Sequence, residues 1–314
     1  MAARTLMIQG TASHVGKSVL VAALCRLYRR RGVKVAPFKA QNMSNNSFVT
    51  PDGKEIGRAQ AVQAAACRLA MRTDFNPVLI KPEGDRRAQL VVNGEVYGQL
   101  TAKDFGRVRR ECFPSVQEAF ARLSREFDLV ILEGAGSPAE INLREQDIVN
   151  MRMAQEAKAP VLLAADIDRG GAFAALVGTV TLLTPEERRH VQGFLINKFR
   201  GEEELLTPGI RAVEAMMGIS CLGVIPHWGN LQVPQEDSVG WDGCLSSPHD
   251  RADGLAIGVA DVPCIANFTD FESLRREPDV QLVRVTEATS QSFDALIFPG
   301  TKNTAEALRF IKAK

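Results

Sequence analysis

The segment Gly10–Ser18, with the sequence GTASHVGKS, constrains the fold more than any other part of the chain. A short apolar run at 6–8 precedes it and an amphipathic run at 19–28 follows it, an order that predicts strand, loop and helix. Such a loop turns backbone N–H groups toward one point, and the helix start adds the positive end of its dipole. The sequence therefore predicts a phosphate-binding loop.

Several residues of this loop have expected roles. Lys17 is expected to place its ammonium group on the β- and γ-phosphates of a nucleotide, and the Ser18 hydroxyl to coordinate Mg²⁺. Gly10, Thr11 and Gly16 complete the predicted nucleotide-binding set. The usual pattern is G-x4-G-K-[ST]; here Thr11 stands at its first glycine position. A chance Gly-Lys-Ser at a helix start is the alternative, which the flanking strand and helix disfavour.

Apolar runs alternate with helical runs along most of the chain. Strands are predicted at 6–9, 33–38, 128–132, 160–165, 191–196 and 221–225, and helices at 17–31, 57–71, 146–157, 172–183 and 202–217. Continuous apolar strands separated by helices are typical of a parallel sheet covered on both faces. The predicted fold class is α/β, a P-loop parallel sheet with helices on both faces. A hairpin turning at Asn93-Gly94 is predicted to interrupt this alternation.

A second α/β unit is predicted beyond residue 253, with strands at 255–259, 280–285 and 295–298. The predicted boundaries are 1–235 for the first unit, 236–253 for a linker rich in Gly, Pro, Ser and Asp, and 254–314 for the second unit. The linker prediction rests on its lack of apolar periodicity.

Composition narrows the classes of function. The net charge of +1 gives no reason to expect binding to nucleic acid or to a membrane surface. The six cysteines form no C-x-x-C pair, which favours a reduced, cytoplasmic compartment. The first residues lead directly into a strand, and no apolar run is long enough to span a bilayer, so we expect no signal peptide and no membrane anchor.

Polar residues at predicted strand ends are the candidate functional groups, because ligands bind at the carboxyl ends of parallel strands. Glu133 ends an apolar strand and is expected to hold Mg²⁺. Lys39 ends the second strand and points into the same crevice, where it is expected to act in catalysis by neutralising charge on a phosphate or acyl phosphate. A strand-end acid followed by an ordinary turn is the alternative for Glu133. Asn197 could read an adenine edge, although this signal is weak alone.

Two further polar segments are candidates for substrate binding. The first, residues 41–47, concentrates amide and hydroxyl side chains, and a solvated loop is the equally weighted alternative. The second follows the strand at 160–165, where an internal Asp–Arg pair is the alternative. The predicted substrate-binding residues are Gln41, Asn42, Ser44, Asn45, Asn46, Asp166, Asp168 and Arg169.

These motifs resemble the dethiobiotin synthetase-like amidoligases and, more specifically, the cobyric acid synthase family. The segments that carry the resemblance are 39–47 (KAQNMSNNS), 55–60 (EIGRAQ), 166–171 (DIDRGG), 196–201 (INKFRG), 267–271 (NFTDF) and 299–304 (PGTKNT). They occur in the family's order from residue 5 to residue 304. The run Gln-Asn-Met-Ser-Asn-Asn is long and specific.

The resemblance implies a glutamine-dependent, cytoplasmic ligase of cobalamin biosynthesis that uses ATP and Mg²⁺. It would amidate side chains b, d, e and g of adenosylcobyrinic a,c-diamide, with glutamine or ammonia as the nitrogen donor. It also implies Glu55 as a further acid near the metal and Gly300 as the oxyanion-hole position of a class I glutaminase domain. The family's nucleophilic Cys and its His lie later in the sequence, so residues 254–314 are expected to be a truncated amidotransferase unit.

Three alternatives stay open at this point. One is another dethiobiotin synthetase-like ligase, which the Gln-Asn-Met-Ser-Asn-Asn run disfavours. Another is a switch ATPase of the partition (ParA) or site-selection (MinD) type, which carries an extra lysine early in its loop where this chain has Gly10-Thr11-Ala12. The third is a catalytically inactive binding remnant. The oligomeric state is also open, with a homo-oligomer as one alternative.

Overall fold

Buried apolar strands alternate with covering helices from residue 4 to residue 226, as the sequence pattern predicts. The computed structural model describes residues 2–84, 87–101, 104–229, 231, 233, 254–286 and 289–313. The elements of the first unit are β1 (Arg4–Gly10), α1 (Lys17–Arg30), β2 (Val35–Phe38), β3 (Gln41–Met43), β4 (Ser47–Val49), β5 (Glu55–Gly57), α2 (Arg58–Ala66), β6 (Val78–Gly84), β7 (Arg87–Val92), β8 (Glu95–Thr101), α3 (Phe105–Glu126), β9 (Leu129–Glu133), α4 (Met151–Glu156), β10 (Val161–Asp166), α5 (Ala172–Leu182), α6 (Pro185–Arg188), β11 (Val191–Phe199), α7 (Thr207–Met217) and β12 (Cys221–Pro226).

A six-stranded parallel sheet forms the centre of this unit, in the order β12-β11-β10-β1-β9-β2. Strand β1 lies between β10 and β9, so the loop that follows it emerges in the middle of the sheet's carboxyl edge. The predicted fold class, a P-loop parallel sheet with helices on both faces, is confirmed.

Alternate residues of each strand belong to separate hydrophobic layers. Met7 packs in the larger layer with side chains of α3, α4, α5 and α7. Its neighbour Ile8 packs in the smaller layer against Val21 and Cys25 of α1. Because successive strand side chains point to opposite faces, both layers need apolar residues, and this explains the continuous apolar runs.

The structure differs from the predicted elements in several helices. Helix α3 occupies a stretch for which no helix was predicted; Pro114 interrupts its pattern, yet Val116, Ala119 and Leu123 are fully buried on one face. The helix predicted at 57–71 ends at Ala66, and Arg68 adopts a left-handed conformation with φ of 58°. The helix predicted at 146–157 is confined to α4, after a 3-10 turn at Ile141–Gln146.

A four-stranded sheet in the order β3-β6-β7-β8 stands beside the main sheet. The predicted hairpin at Asn93-Gly94 is confirmed, since β7 and β8 pair antiparallel and both turn residues have positive φ. Residues 41–47, called the polar run below, were expected to form a loop. Part of this segment is strand instead, since β3 pairs in parallel with β6 and β4 pairs with β5.

The second unit contains β13 (Leu255–Ala260), α8 (Glu272–Arg276), β14 (Val280–Val285), β15 (Ala295–Ile297) and α9 (Thr304–Lys312). Its three strands are parallel, in the order β14-β13-β15. A small core of Val259, Phe268, Phe271 and Leu282 lies beneath them. The predicted linker at 236–253 lies outside the described residues.

Polar contacts join the second unit to the four-stranded sheet and the polar run. The Ser47 backbone N–H donates to Asn267 Oδ1 at 3.0 Å, and Lys302 Nζ donates to Gln89 Oε1 at 2.5 Å. Arg58 lies 3.5 Å from the Asp270 carboxylate. In the described part of the chain, none of the helices is both long enough and apolar enough to cross a membrane.

Asn76 joins three segments around the end of β2, and its removal is therefore a test of the fold. Its amide nitrogen donates to the backbone carbonyls of Lys39 and Val78, and its Oδ1 accepts from Gly57 N–H. We expect Asn76→Ala to lower the free energy of unfolding by about 3 kcal/mol, because buried backbone groups lose their partners. Urea denaturation measures this change. Gln99→Ala, at an exposed position, is the control, and equal values for the two variants would contradict the assignment.

Candidate active site

The phosphate loop between β1 and α1 curves around the Lys17 ammonium. Lys17 Nζ donates to the carbonyls of Ala12 at 2.9 Å and Gly136 at 3.0 Å, and the side chain is buried. Gly16 has a φ of 100°, and a Cβ there would lie 2.2 Å from Asn197 Nδ2. Only glycine fits this position, because other residues would be strained and would clash. The loop therefore holds a positive charge where backbone N–H groups and the α1 dipole already favour phosphate.

Glu133, at the end of β9, is the centre of a cluster of polar side chains. Its Oε1 accepts hydrogen bonds from Ser18 Oγ at 2.7 Å and from Lys39 Nζ at 2.8 Å. Its Oε2 accepts from Gln63 Nε2 at 2.5 Å, and Gln63 also donates to the Ser18 carbonyl at 3.3 Å. The structure thus brings together three residues that sequence analysis had assigned to phosphate and metal handling.

Gln63 is the member of this cluster that sequence analysis missed. It lies on α2, an Ala-rich helix, and is fully buried. A glutamine on the buried face of such a helix was the available signal, since buried amides need hydrogen-bond partners. Its partner could not be named from the sequence, because Glu133 lies 70 residues further along the chain.

The Glu133 carboxyl is ionised in this environment. Burial by itself strongly raises its pKa, but the charge of Lys39 and the hydrogen bonds from Lys39, Ser18 and Gln63 outweigh that effect. The net result is a pKa below the ordinary value for glutamate. The site therefore presents an anionic oxygen pair next to a serine hydroxyl, a donor set that suits a hard cation such as Mg²⁺.

The carboxyl ends of β10 and β11 brace the phosphate loop from the opposite side of β1. Asn197 Nδ2 donates to the Val15 carbonyl at 2.8 Å. Lys198 Nζ donates to the His14 carbonyl at 2.8 Å and to Asp166 Oδ2 at 2.6 Å. These side chains fix the loop, and the role of Asn197 in reading adenine stays a prediction.

Asp168 and Arg169, which follow Asp166 in the chain, form ion pairs with different residues. Arg169 lies 3.7 Å from Asp166, as in the internal pair considered from the sequence. Asp168 is more exposed and pairs with Arg200 at 3.1 Å. Arg169 and Lys198 line the cavity described below, so substrate contact from this segment stays a prediction.

Most of the polar run is buried rather than solvated. Gln41 and Asn42 line the cavity, and Asn42 Nδ2 donates to Gln60 Oε1 at 3.0 Å. Ser44 Oγ accepts from the Asn46 backbone N–H at 3.0 Å, which folds the segment on itself. Asn45 is half-buried. The run therefore shapes both the cavity wall and the contact with the second unit.

Glu55 and Gly300 lie at different places from the Glu133 cluster. Glu55, on β5, forms an ion pair with Lys81, and despite the opposing effect of burial its pKa is lowered by Lys81, Ser47 and Lys302. Gly300 accepts a backbone hydrogen bond from Ala266 at 2.8 Å within the second unit. Their assigned roles in metal binding and in an oxyanion hole stay predictions.

A cavity of about 940 Å³ opens beside the phosphate loop and the Glu133 cluster. This volume is at the upper end of the range for small-molecule sites, so the cavity can hold a nucleotide together with part of a second ligand. Besides the residues already described, its wall includes Arg109, Ser137, Glu140, Leu143, Arg144, Asp147, Asn150, His227, Trp228 and Arg275.

The loop between the central strand and α1, its lysine and serine, and the strand-end carboxylate define a P-loop nucleotide-binding protein. The chain belongs to the CobQ/CobB/MinD/ParA nucleotide binding domain family, whose model matches residues 6–236. Residues 256–314 match the CobB/CobQ-like glutamine amidotransferase domain.

Curated relatives confirm the resemblance found in the sequence. The chain is 51% identical to cobyric acid synthase of Sorangium cellulosum over 100% of its own length and 60% of that protein. It is 51% identical to the Carboxydothermus hydrogenoformans protein over 99% of this chain and 63% of that protein. It is 50% identical to the Pelotomaculum thermopropionicum protein over 98% of this chain and 59% of that protein. The chain thus spans about three-fifths of the length of these relatives. Chloroplast FtsY from Physcomitrella patens aligns with a TM-score of 0.40 and 19% identity over 71% of this chain and 58% of its own.

The ionised state of Glu133 leads to a prediction about pH. A carboxyl whose pKa is lower in the folded state stabilises the protein above its unfolded pKa, about 4.3, and loses that contribution as the pH falls through the folded pKa. We expect the difference in free energy of unfolding between wild type and Glu133→Gln to be largest near neutral pH and to shrink below about pH 4. Urea denaturation at a series of pH values measures this difference. The exposed Glu156→Gln is the control, and a difference for Glu133→Gln that is constant with pH would refute the expectation.

Proposed function

We propose that the chain carries the ATP-dependent synthetase part of a cobyric acid synthase. The reaction is amidation of the b, d, e and g carboxylates of adenosylcobyrinic a,c-diamide, which gives adenosylcobyric acid. The observation that carries the proposal is the Ser18–Glu133–Lys39 cluster, which lies beside a phosphate loop and in a cavity with room for a second ligand. Similarity to cobyric acid synthases supports the identity of that ligand.

The chemistry is activation of a carboxylate. A substrate carboxylate oxygen forms a bond to the γ-phosphorus of ATP while the bond to the ADP oxygen breaks, which gives an acyl phosphate and ADP. Ammonia then attacks the acyl carbon, phosphate leaves, and the nitrogen loses a proton to give the amide. The protein contributes position and charge: Lys17 and the loop N–H groups hold the phosphates, and Lys39 neutralises charge on the transferred group.

Ser18 and Glu133 are the residues that would hold Mg²⁺, because a hydroxyl and an ionised carboxylate already lie 2.7 Å apart there. Bound there, the ion would supply neutralisation of charge on the phosphates. Lys39 Nζ donates a hydrogen bond to Oε1 of Glu133, the oxygen that also accepts from Ser18, and so adds a second positive charge at the same point. With the ion bound, the cluster would carry a net positive charge beside the transferred phosphoryl group, which is negatively charged.

The second unit would deliver the nitrogen. In the whole protein, a glutaminase domain would release ammonia from glutamine, and Gly300 would contribute to its oxyanion hole. The contacts of Asn267 and Lys302 with the first unit support this role, since they hold the second unit beside the polar run that lines the cavity wall. Free ammonia is expected to replace glutamine in an assay of residues 1–314, since the phosphate-handling groups lie in the first unit.

Loss of the loop lysine tests the proposed function directly. We expect Lys17→Ala to lower the rate of ATP-dependent amidation by roughly 10²–10³-fold, the scale of one lost charge contact in a transition state. The assay is amide formation on adenosylcobyrinic a,c-diamide with ATP, Mg²⁺ and ammonium chloride. Lys34→Ala, at an exposed lysine beyond α1, is the control. Amidation at the wild-type rate by folded Lys17→Ala protein would refute the site assignment, and no amidation by wild type would refute the function.

Glu133→Gln separates metal binding from nucleotide binding. We expect the Mg²⁺ concentration for half-maximal turnover to rise by about tenfold or more, because a neutral amide is a weaker ligand than a carboxylate. The affinity for nucleotide should change less, since the loop and Lys17 remain. A Mg²⁺ titration that matches wild type would show that Glu133 has a structural role alone.

A further inference from the structure

The wall of the cavity carries an excess of basic side chains. Among the described residues that line it, basic side chains outnumber acidic ones by seven to four. Lys17 and Lys39 belong to the phosphate site, and Lys198 and Arg169 are held by Asp166. Arg144 contacts Glu187 at 3.8 Å and the Leu182 carbonyl, which fixes it against the end of α5. Arg275 belongs to α8 of the second unit, and Arg109 lies on α3 of the first unit.

Sheet order places Arg109 on the side of the site away from Asn197. The strands run β11-β10-β1-β9, so Asn197 on β11 and Glu133 on β9 lie on opposite sides of the phosphate loop. Arg109 belongs with the β9 side, because α3 packs at Gly106 against Gln146 of the segment that follows β9, and Arg109 lines the cavity together with Asp147 of that segment. A ligand that reaches from the Glu133–Lys39 cluster to Arg109 therefore extends away from Asn197.

The segment around Asp147 is fixed firmly to the loop after β9. Asp147 Oδ1 accepts from the backbone N–H groups of Val149 at 3.0 Å and Asn150 at 2.9 Å. The Asn150 side chain in turn bonds both the N–H and the carbonyl of Ala135, at 3.0 and 2.7 Å. This chain of contacts gives the wall near Arg109 a defined position relative to Glu133.

Arg109 is itself held at the cavity by close packing of α3. A Cβ at Gly106, one turn earlier, would lie 2.7 Å from the Gln146 side chain, so the helix approaches the segment after β9 without intervening side chains. The guanidinium is half-buried, and burial lowers its pKa, an effect that the charge of Asp147 opposes. An additional anion in the cavity would stabilise this charge further.

We propose that Arg109 binds a carboxylate of the acceptor substrate and orients a second carboxylate toward the Glu133–Lys39 cluster. This inference rests on the proposed function and adds a residue that determines specificity for polycarboxylates. A guanidinium matches a carboxylate with two parallel hydrogen bonds, which fixes orientation as well as affinity. Amidation of the bound group would remove its charge, so the substrate with fewer amides is favoured at this position.

The test compares Arg109→Met with Arg110→Met, a matched control at the next position of α3, where the side chain is exposed. Titration calorimetry measures the dissociation constants of adenosylcobyrinic a,c-diamide and of a non-hydrolysable ATP analogue with Mg²⁺. We expect Arg109→Met to weaken corrinoid binding by about 10- to 100-fold, the range for a lost charged hydrogen bond. Binding of the ATP analogue should stay within about twofold of wild type, and it also reports that the variant is folded.

Arg109→Lys provides a second measure, because it keeps the charge and loses the paired hydrogen bonds. We expect its corrinoid affinity to lie between those of wild type and Arg109→Met, and the KM for corrinoid in the ammonia-dependent assay to follow the same order. Equal corrinoid affinity in Arg109→Met and wild type would overturn the inference while leaving the proposed function intact. A loss confined to the ATP analogue would also overturn it, by assigning Arg109 to the nucleotide. Wild type that binds the analogue and no corrinoid would refute the proposed function and this inference with it.

Discussion

The ionised carboxylate of Glu133 is the interaction on which the rest of the site depends. A fully buried charge is costly unless it is paired and hydrogen-bonded, and both oxygens of this group have donors. Those donors come from α1, from the residue that follows β2, and from α2. The hydrogen bonds to this one carboxylate thus fix three segments relative to β9, and they set the position of Lys39 beside the phosphate loop.

The phosphate loop is held from its other side by a separate set of contacts. Asn197 and Lys198 bond the loop carbonyls of Val15 and His14, and the close approach of Asn197 explains why residue 16 must be glycine. A loop fixed by β11 on one side and by the Glu133 cluster on the other is preorganised. Its N–H groups need little rearrangement when an anion binds, which is the condition for strong electrostatic stabilisation.

The polar run after β2 has a structural role that its composition did not indicate. Amide and hydroxyl side chains in sequence suggest a solvated loop or a ligand-binding loop. In the structure, β3 extends a second sheet, Gln41 and Asn42 form part of the cavity wall, and Ser47 contacts Asn267 of the second unit. One segment therefore connects the wall of the cavity to the second unit.

The sequence alone determined those elements whose conformation depends on interactions between neighbouring residues. Apolar runs of strand length specified the parallel sheet, Gly10–Ser18 specified the phosphate loop, and Asn93-Gly94 specified the hairpin. The strand-end position of Glu133 also followed from the sequence. In each case a few neighbouring residues carry the whole signal, through backbone conformation, side-chain period or the direction of a strand.

Contacts between distant segments were decided by the tertiary structure alone. Gln63 and Glu133 meet across 70 residues and Asn197 and Val15 across 182, and nothing in either local sequence names the partner. Helix α3 was not predicted, because Pro114 interrupts its sequence pattern. Packing against the sheet stabilises this helix and thereby positions Arg109. The physical reason is that burial and hydrogen-bond satisfaction depend on which surfaces meet, and only the folded chain brings those surfaces together.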